Sequence, residues 1–127
     1  MKIKNKICIV GLGYVGLPLS TLFSSKYDVI GYDIDKKRIS DLEVYFDKTN
    51  EVDSVDLKKA LNSSLKLTSN LNEIIDCNIY IITVPTPIFE NKKPNLNHLI
   101  SATSIVAKML KKGDTVIYES TVFPGCT

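Results

Sequence analysis

A short apolar run, Ile7-Cys8-Ile9-Val10, leads into Gly11-Leu12-Gly13-Tyr14-Val15-Gly16, and an acid, Asp33, follows 22 residues after the first glycine. Strand, Gly-x-Gly-x-x-Gly turn and a distant carboxylate form the arrangement that a dinucleotide site requires. Gly11 permits a tight turn off the strand, and Gly13 lets backbone approach a pyrophosphate with no side chain in the way. Gly16 lets the next helix pack closely on the strand, so that its N-terminal amides and dipole face the phosphates. Tyr14 and Val15 lie within this turn and join the candidate contacts.

Asp33 ends a second apolar run, Asp28-Val29-Ile30-Gly31-Tyr32. A carboxylate there accepts hydrogen bonds from both hydroxyls of an adenosine ribose and repels a 2′-phosphate, which favours NAD over NADP. Arg38, five residues on, reads as a planar cation lying near the adenine or ribose. The plainer reading makes it a solvated helix charge beside Lys36 and Lys37.

Outside these motifs, strand and helix alternate from end to end. Strands are expected at Ile7–Val10, Val29–Tyr32, Leu65–Thr68, Ile79–Val84 and Thr115–Tyr118. Helices are expected over about Tyr14–Ser25, Lys36–Glu43 with Asp35 as N-cap, Val55–Leu61 and Asn97–Leu110, with a helical turn over Leu71–Ile75. In the first helix Val15, Leu19, Leu22 and Phe23 form the expected buried stripe, with Pro18 in the first turn, where its missing amide costs least. Asp47-Lys48-Thr49-Asn50-Glu51 reads as a polar loop. Ile79–Val84, apolar on both faces, suits a central parallel strand. The expected class is α/β: a Rossmann-type, doubly wound parallel sheet of order 3-2-1-4-5, with ligand at the carboxyl ends of the strands. The last strand is followed by no closing helix, so residues 1–127 read as one incomplete, truncated domain.

Composition excludes other classes. At 127 residues with 44% apolar and 24% charged residues, the chain can bury one core and is not of disordered composition. Its net charge of +2, with both signs interspersed, gives no nucleic-acid footprint and no polybasic membrane patch. No apolar run is long enough for a membrane span, and no signal peptide is present, so the expected location is the cytoplasm. Cys8, Cys77 and Cys126 are widely spaced and odd in number, no Cys-x-x-Cys or Cys/His cluster offers a metal site, and Cys8 and Cys77 read as small buried hydrophobes. No metal is expected, and the single histidine, His98, reads as a helix-start residue.

Two further loops leave strands at the same edge of the sheet. In Thr83-Val84-Pro85-Thr86-Pro87, two prolines stiffen the exit from the central strand, and the Thr86 hydroxyl can reach a ribose or phosphate oxygen. Val84 and Pro85 are counted with it. In Glu119-Ser120-Thr121-Val122, Ser120 and Thr121 offer hydroxyls and amides near where a nicotinamide would lie. Glu119 has no visible partner for acid/base work and is not assigned that role.

Taken together, GLGYVGLP (Gly11–Pro18), Asp33 with Arg38, TVPTP (Thr83–Pro87) and ESTVFPGCT (Glu119–Thr127) resemble the UDP-glucose/GDP-mannose dehydrogenase family. Within it, the chain is most similar to bacterial UDP-N-acetylhexosamine 6-dehydrogenases of capsular and Vi-type polysaccharide synthesis. The resemblance implies oxidation of a nucleotide sugar's C6 alcohol to a carboxylate by two NAD, through an aldehyde and a cysteine-bound thioester. It implies that Val15, Asp33, Arg38, Thr86 and Thr121 contact NAD, and that Thr121 also helps to order water near the reacting carbon. The family's nucleophilic cysteine and catalytic lysine lie outside these residues. Cys126 is not that cysteine, so the 127 residues alone are expected to be inactive. The expected partners are a UDP-sugar and further copies of the chain. Two alternatives compete: a stand-alone NAD-binding or regulatory module, and a dehydrogenase of another hydroxy compound. A module has no need for loops around a nicotinamide, and the second alternative does not account for TVPTP and ESTVFPG together.

Overall fold

The computed structural model describes residues 5–85 and 96–119. Five parallel strands, β1 (Lys6–Val10), β2 (Asp28–Tyr32), β3 (Leu65–Thr68), β4 (Ile79–Ile82) and β5 (Thr115–Tyr118), form one sheet of order β3-β2-β1-β4-β5. This is the expected class and order. Among the described residues the connecting helices are α1 (Gly16–Phe23), α2 (Lys36–Glu43), α3 (Ser54–Leu61) and α4 (Asn97–Met109), with a 3-10 turn at Leu71–Glu73. None of these helices is long and apolar enough to cross a membrane.

The two-residue period of a strand sends neighbouring side chains to opposite faces, and the cores follow that rule. Ile7 and Ile9 of β1 join Val29, Ile81 and the helix residues Leu17, Ile39, Leu42 and Leu57 on one face. Cys8 and Val10 join Ile30, Tyr80, Ile82 and the α4 residues Ala102 and Val106 on the other. Helices α1, α2 and α3 therefore cover one face, and α4 the other. Cys8 and Cys77 are fully buried in the α4-side core. Tyr80, also fully buried, donates its hydroxyl to the Ile74 carbonyl at 2.9 Å, so this apolar strand leaves no polar atom of that side chain unsatisfied. His98 lies in the first turn of α4 and is exposed.

Helix α1 departs from the expected stripe. Val15 is 44% exposed and Leu22 67% exposed; the buried residues are Gly16, Leu17 and Ser20, with Ser24 just beyond the helix. Leu19 and Phe23 do pack partly on the core. The rotation of the helix is set by its small residues. Gly16, Ser20 and Ser24 recur at i, i+4 and i+8, and that narrow row lets the backbone approach β1 closely. The two serines bond their hydroxyls back to helix carbonyls, Ser20 to Gly16 at 2.7 Å and Ser24 to Thr21 at 2.8 Å. Periodicity of large apolar residues cannot detect a contact face built from small ones.

Because all strands are parallel, the carboxyl ends of β1, β2 and β4 lie along one edge. Gly11, Asp33 and Thr83 follow them directly. The chain leaves α2 through Tyr45, whose φ of +67° is the left-handed conformation usually given to glycine at a helix C-terminus. Amides of Tyr45 and Phe46 return to the carbonyls of Leu42 and Asp41, and this turn delivers Asp47 beneath the same edge.

Candidate dinucleotide site

The turn after β1 is bound from below on every side. Gly11 (φ +102°) donates its amide to the Tyr32 carbonyl of β2 at 2.8 Å, and its own carbonyl accepts the Thr83 hydroxyl at 2.6 Å. A side chain at Gly11 would strike Val84, and one at Gly16 would run into the Gly11 carbonyl and the Thr83 hydroxyl. Two of the three glycines are therefore demanded by the fold itself. Gly13 is different. It has no positive φ, and a Cβ built on it meets no atom within 4 Å. No described residue fills the space that a side chain would take at that position, so its backbone lies open.

Leu12 is pinned between two charged residues. Its amide donates to Asp33 Oδ2 at 2.9 Å, and its carbonyl accepts Arg38 Nε at 2.8 Å. Its side chain is fully buried against Gly31 of β2, where a Cβ would lie 2.9 Å from Leu12 Cδ2. The amides of Gly13, Tyr14 and Val15, in contrast, donate to no acceptor among the described residues. Val15 precedes α1 without a side-chain cap, so the first turn of that helix keeps donors for an anion. Tyr14 is 69% exposed beside them.

Asp33 stands half-buried at the end of β2. Its Oδ1 accepts the Asp35 amide and its Oδ2 the Leu12 amide, each at 2.9 Å. A carboxylate has about four lone-pair positions, so each oxygen keeps one for an outside donor. Asp35 caps α2 as expected, accepting from the Lys37 and Arg38 amides.

Arg38 is not a solvated charge. It is 5% exposed and lies under the glycine turn, where Nε holds the Leu12 carbonyl and Nη1 pairs with Asp47 Oδ1 at 2.9 Å. Its Nη2 is buried and makes no hydrogen bond among the described residues. Asp47, expected only as part of a polar loop, is the hub of that loop. It accepts the Thr49 amide (2.9 Å) and hydroxyl (2.6 Å) and the amides of Glu51 and Val52 (3.0 Å each), besides Arg38. Thr83 was likewise not among the expected contacts, although its hydroxyl fixes the first glycine. For Asp47 the only sequence hint is an Asp followed by Thr two residues on, the pattern of an Asx turn.

Burial alone would raise the Asp47 carboxyl, but the hydrogen bonds from Thr49, Arg38 and Val52 outweigh it and hold the group at about 2. A depressed folded-state value stabilises the protein above the ordinary carboxylate range of about 3.9, and the contribution vanishes as pH falls through about 2. The difference is worth about 2 kcal/mol. Urea denaturation should show the wild type losing that much between pH 5 and pH 2. The Asp47→Asn variant, less stable at pH 7, should lack this part of the slope. Parallel slopes for the two proteins would contradict the assignment.

Val84, half-buried, lies over Gly11, and Pro85 follows it in the open. Thr86, Ser120, Thr121 and Cys126 lie outside the described residues. Glu119 donates its amide to the Ile82 carbonyl at 2.9 Å and is exposed. Among the described residues no cluster of His, Cys, Asp and Glu is built to hold a metal. A groove of about 440 Å³ lies elsewhere, between α1 and α3, lined by Pro18, Leu22, Val52 and Lys59 among others. It includes no residue of the glycine turn.

Comparison with known proteins agrees with this geometry. Residues 5–127 match the model of the UDP-glucose/GDP-mannose dehydrogenase family, NAD binding domain. A UDP-N-acetyl-D-glucosamine 6-dehydrogenase of Pseudomonas aeruginosa is 52% identical over 122 residues, which are 96% of this chain and 28% of that protein. The enzyme of the same name from Salmonella typhi is 50% identical over the same shares. The structure of a UDP-D-ManNAc dehydrogenase from Pyrococcus horikoshii superposes with a TM-score of 0.87 at 37% identity, covering 94% of this chain and 29% of that one. The chain thus spans little more than a quarter of the length of these relatives. It belongs to the UDP-glucose/GDP-mannose dehydrogenase family, and its residues 5–127 are the family's NAD-binding domain.

Proposed function

We propose that this chain supplies the NAD site of a nucleotide-sugar 6-dehydrogenase that oxidises the C6 alcohol of a UDP-N-acetylhexosamine to the uronic acid, for surface-polysaccharide assembly. The single observation that carries the cofactor side is Gly13: a glycine whose side-chain space no described residue fills, with uncommitted amides beside it, next to Leu12, whose amide donates to the acid at the end of β2. NAD, when bound, supplies the hydride acceptor. The protein's residues do the holding. Amides of Gly13, Tyr14 and Val15 at the start of α1 face the diphosphate, and the open lone pairs of Asp33 receive the ribose hydroxyls. The spare edge of Arg38, Val84 and Pro85, together with Thr86, Ser120 and Thr121, complete the cofactor contacts, with Thr121 toward the reacting carbon. The substrate side rests on the names of the relatives and on the four motifs shared with the family. The proposal includes the cytoplasm as location and a homo-oligomer as working form.

Calorimetric titration with NAD and NADP tests the cofactor reading. Since Asp33 also holds two backbone amides, Asp33→Asn is the informative change, keeping one acceptor oxygen and removing the charge. Hydrogen bonds to a charged group contribute about 1.5–3 kcal/mol, less where solvent replaces them. NAD binding should therefore weaken about tenfold, and the preference over NADP should shrink. Equal affinity of the wild type for the two cofactors would overturn the reading.

A further inference from the structure

Leu12 and Gly13 share one peptide unit, and no peptide bond among the described residues is cis. In a trans, planar peptide the carbonyl and the following N–H point in opposite directions. Arg38, 5% exposed, draws the Leu12 carbonyl inward through Nε at 2.8 Å, so the Gly13 N–H is aimed away from Arg38, and it donates to no acceptor among the described residues. The direction of the Gly13 amide is thus set from beneath the turn.

Arg38 cannot hold this posture unaided. Its Nη2 has no partner among the described residues, and Nη1 has one carboxylate, Asp47. A buried guanidinium with a single neutral acceptor would be pulled toward water. Asp47, its side chain 1% exposed, is in turn fixed by Thr49, Glu51 and Val52. The order of support runs from loop 47–52 to Asp47, to Arg38, to the Leu12 carbonyl, and so to the Gly13 amide.

We propose that Asp47 is a positioning residue for diphosphate binding: through Arg38 it orients the Gly13 amide while touching no ligand itself. The proposal rests on the dinucleotide reading above for its ligand, but its structural half stands without one. It separates Asp47 from the residues that contact the cofactor, and it makes loop 47–52 part of the phosphate site at one remove.

The test uses ADP and adenosine as probes on the wild type, Asp47→Asn and Asp47→Glu at pH 7, with urea denaturation to confirm that each is folded. Loss of the charge weakens the Arg38 anchor by about the difference between a charged and a neutral hydrogen bond, roughly a factor of ten. Asp47→Asn should bind ADP about tenfold more weakly and adenosine unchanged, and its Gly13 amide resonance should shift in the ligand-free protein. Asp47→Glu, which keeps the charge, should recover ADP binding to within about threefold of wild type. Should Asp47→Asn fail to fold, Thr49→Val, which removes the hydroxyl that holds Asp47 at 2.6 Å, takes its place with the same expected shift of the Gly13 resonance and the same selective loss of ADP binding. An unshifted Gly13 resonance, or equal losses for ADP and adenosine, would overturn the positioning role. A wild type that takes up no ADP would instead overturn the dinucleotide reading, and the ligand-free Gly13 shift would still decide the role of Asp47.

Discussion

Replacing Gly16 by alanine is expected to cost the protein more than about 3 kcal/mol of stability, the range of a core substitution that forces backbone to move. The added methyl would overlap the Gly11 carbonyl and sit 2.5 Å from the Thr83 hydroxyl. The second obstacle is a side chain, but the first is backbone, and that backbone is itself held by the β2 carbonyl of Tyr32 and by Thr83. Helix α1 must therefore move off the sheet or the turn must deform. Urea denaturation of Gly16→Ala and of the double variant Gly16→Ala/Thr83→Ala separates the causes. The double variant should be no more stable than the single one, since the carbonyl clash persists. Recovery to near wild-type stability on trimming Thr83 would show that the side chain, not the turn, sets the limit.

Gly13→Val is expected to do the reverse. With no atom within 4 Å of the new Cβ and no left-handed φ to violate, stability should change by less than about 0.5 kcal/mol, as for an ordinary surface substitution. Binding should collapse. A branched side chain in the path of the diphosphate costs about 3 kcal/mol on the scale of an overpacked contact, or about a hundredfold in affinity. Thermal melting and calorimetry with NAD on the same preparation measure both effects. A variant that melts like wild type and binds NAD equally well would show that the ligand does not approach this backbone.

The two glycines differ in a way that the motif alone does not express, and the same holds for the rest of the site. Strands β3 and β5, the span of α2 and its Asp35 cap agree with expectation to the residue, because alternation, β-branched runs and a capping aspartate are local signals. The order of the sheet followed from strand–helix alternation and the parallel rule. The face of α1 was not legible, since its contact row is Gly16, Ser20 and Ser24, and a hydrophobic count passes over it. Nor was Asp47, whose five donors come from its own loop and from a helix nine residues earlier. Arg38 was assigned to the site by its spacing from Asp33, yet its burial and its grip on Leu12 depend on where loop 47–52 returns. Gly31 reads as an ordinary strand residue until Leu12 is seen lying on it. For Arg38 and Gly31, what escaped the sequence is a contact with Leu12, a residue of another segment that meets them at the carboxyl edge.

The central claim is that NAD lies on the glycine turn at that edge. Titration of the ¹⁵N-labelled wild-type chain with NAD tests it most directly, because the α1–α3 groove offers a competing place for a ligand. The account predicts that the amide resonances of Gly13, Tyr14 and Val15 move most, with Asp33 and Ile34 next, while Thr21, Leu22, Ala60 and Ser63 in the α1–α3 groove stay in place. Shifts confined to the groove residues, with the glycine turn unmoved at saturating NAD, would contradict it.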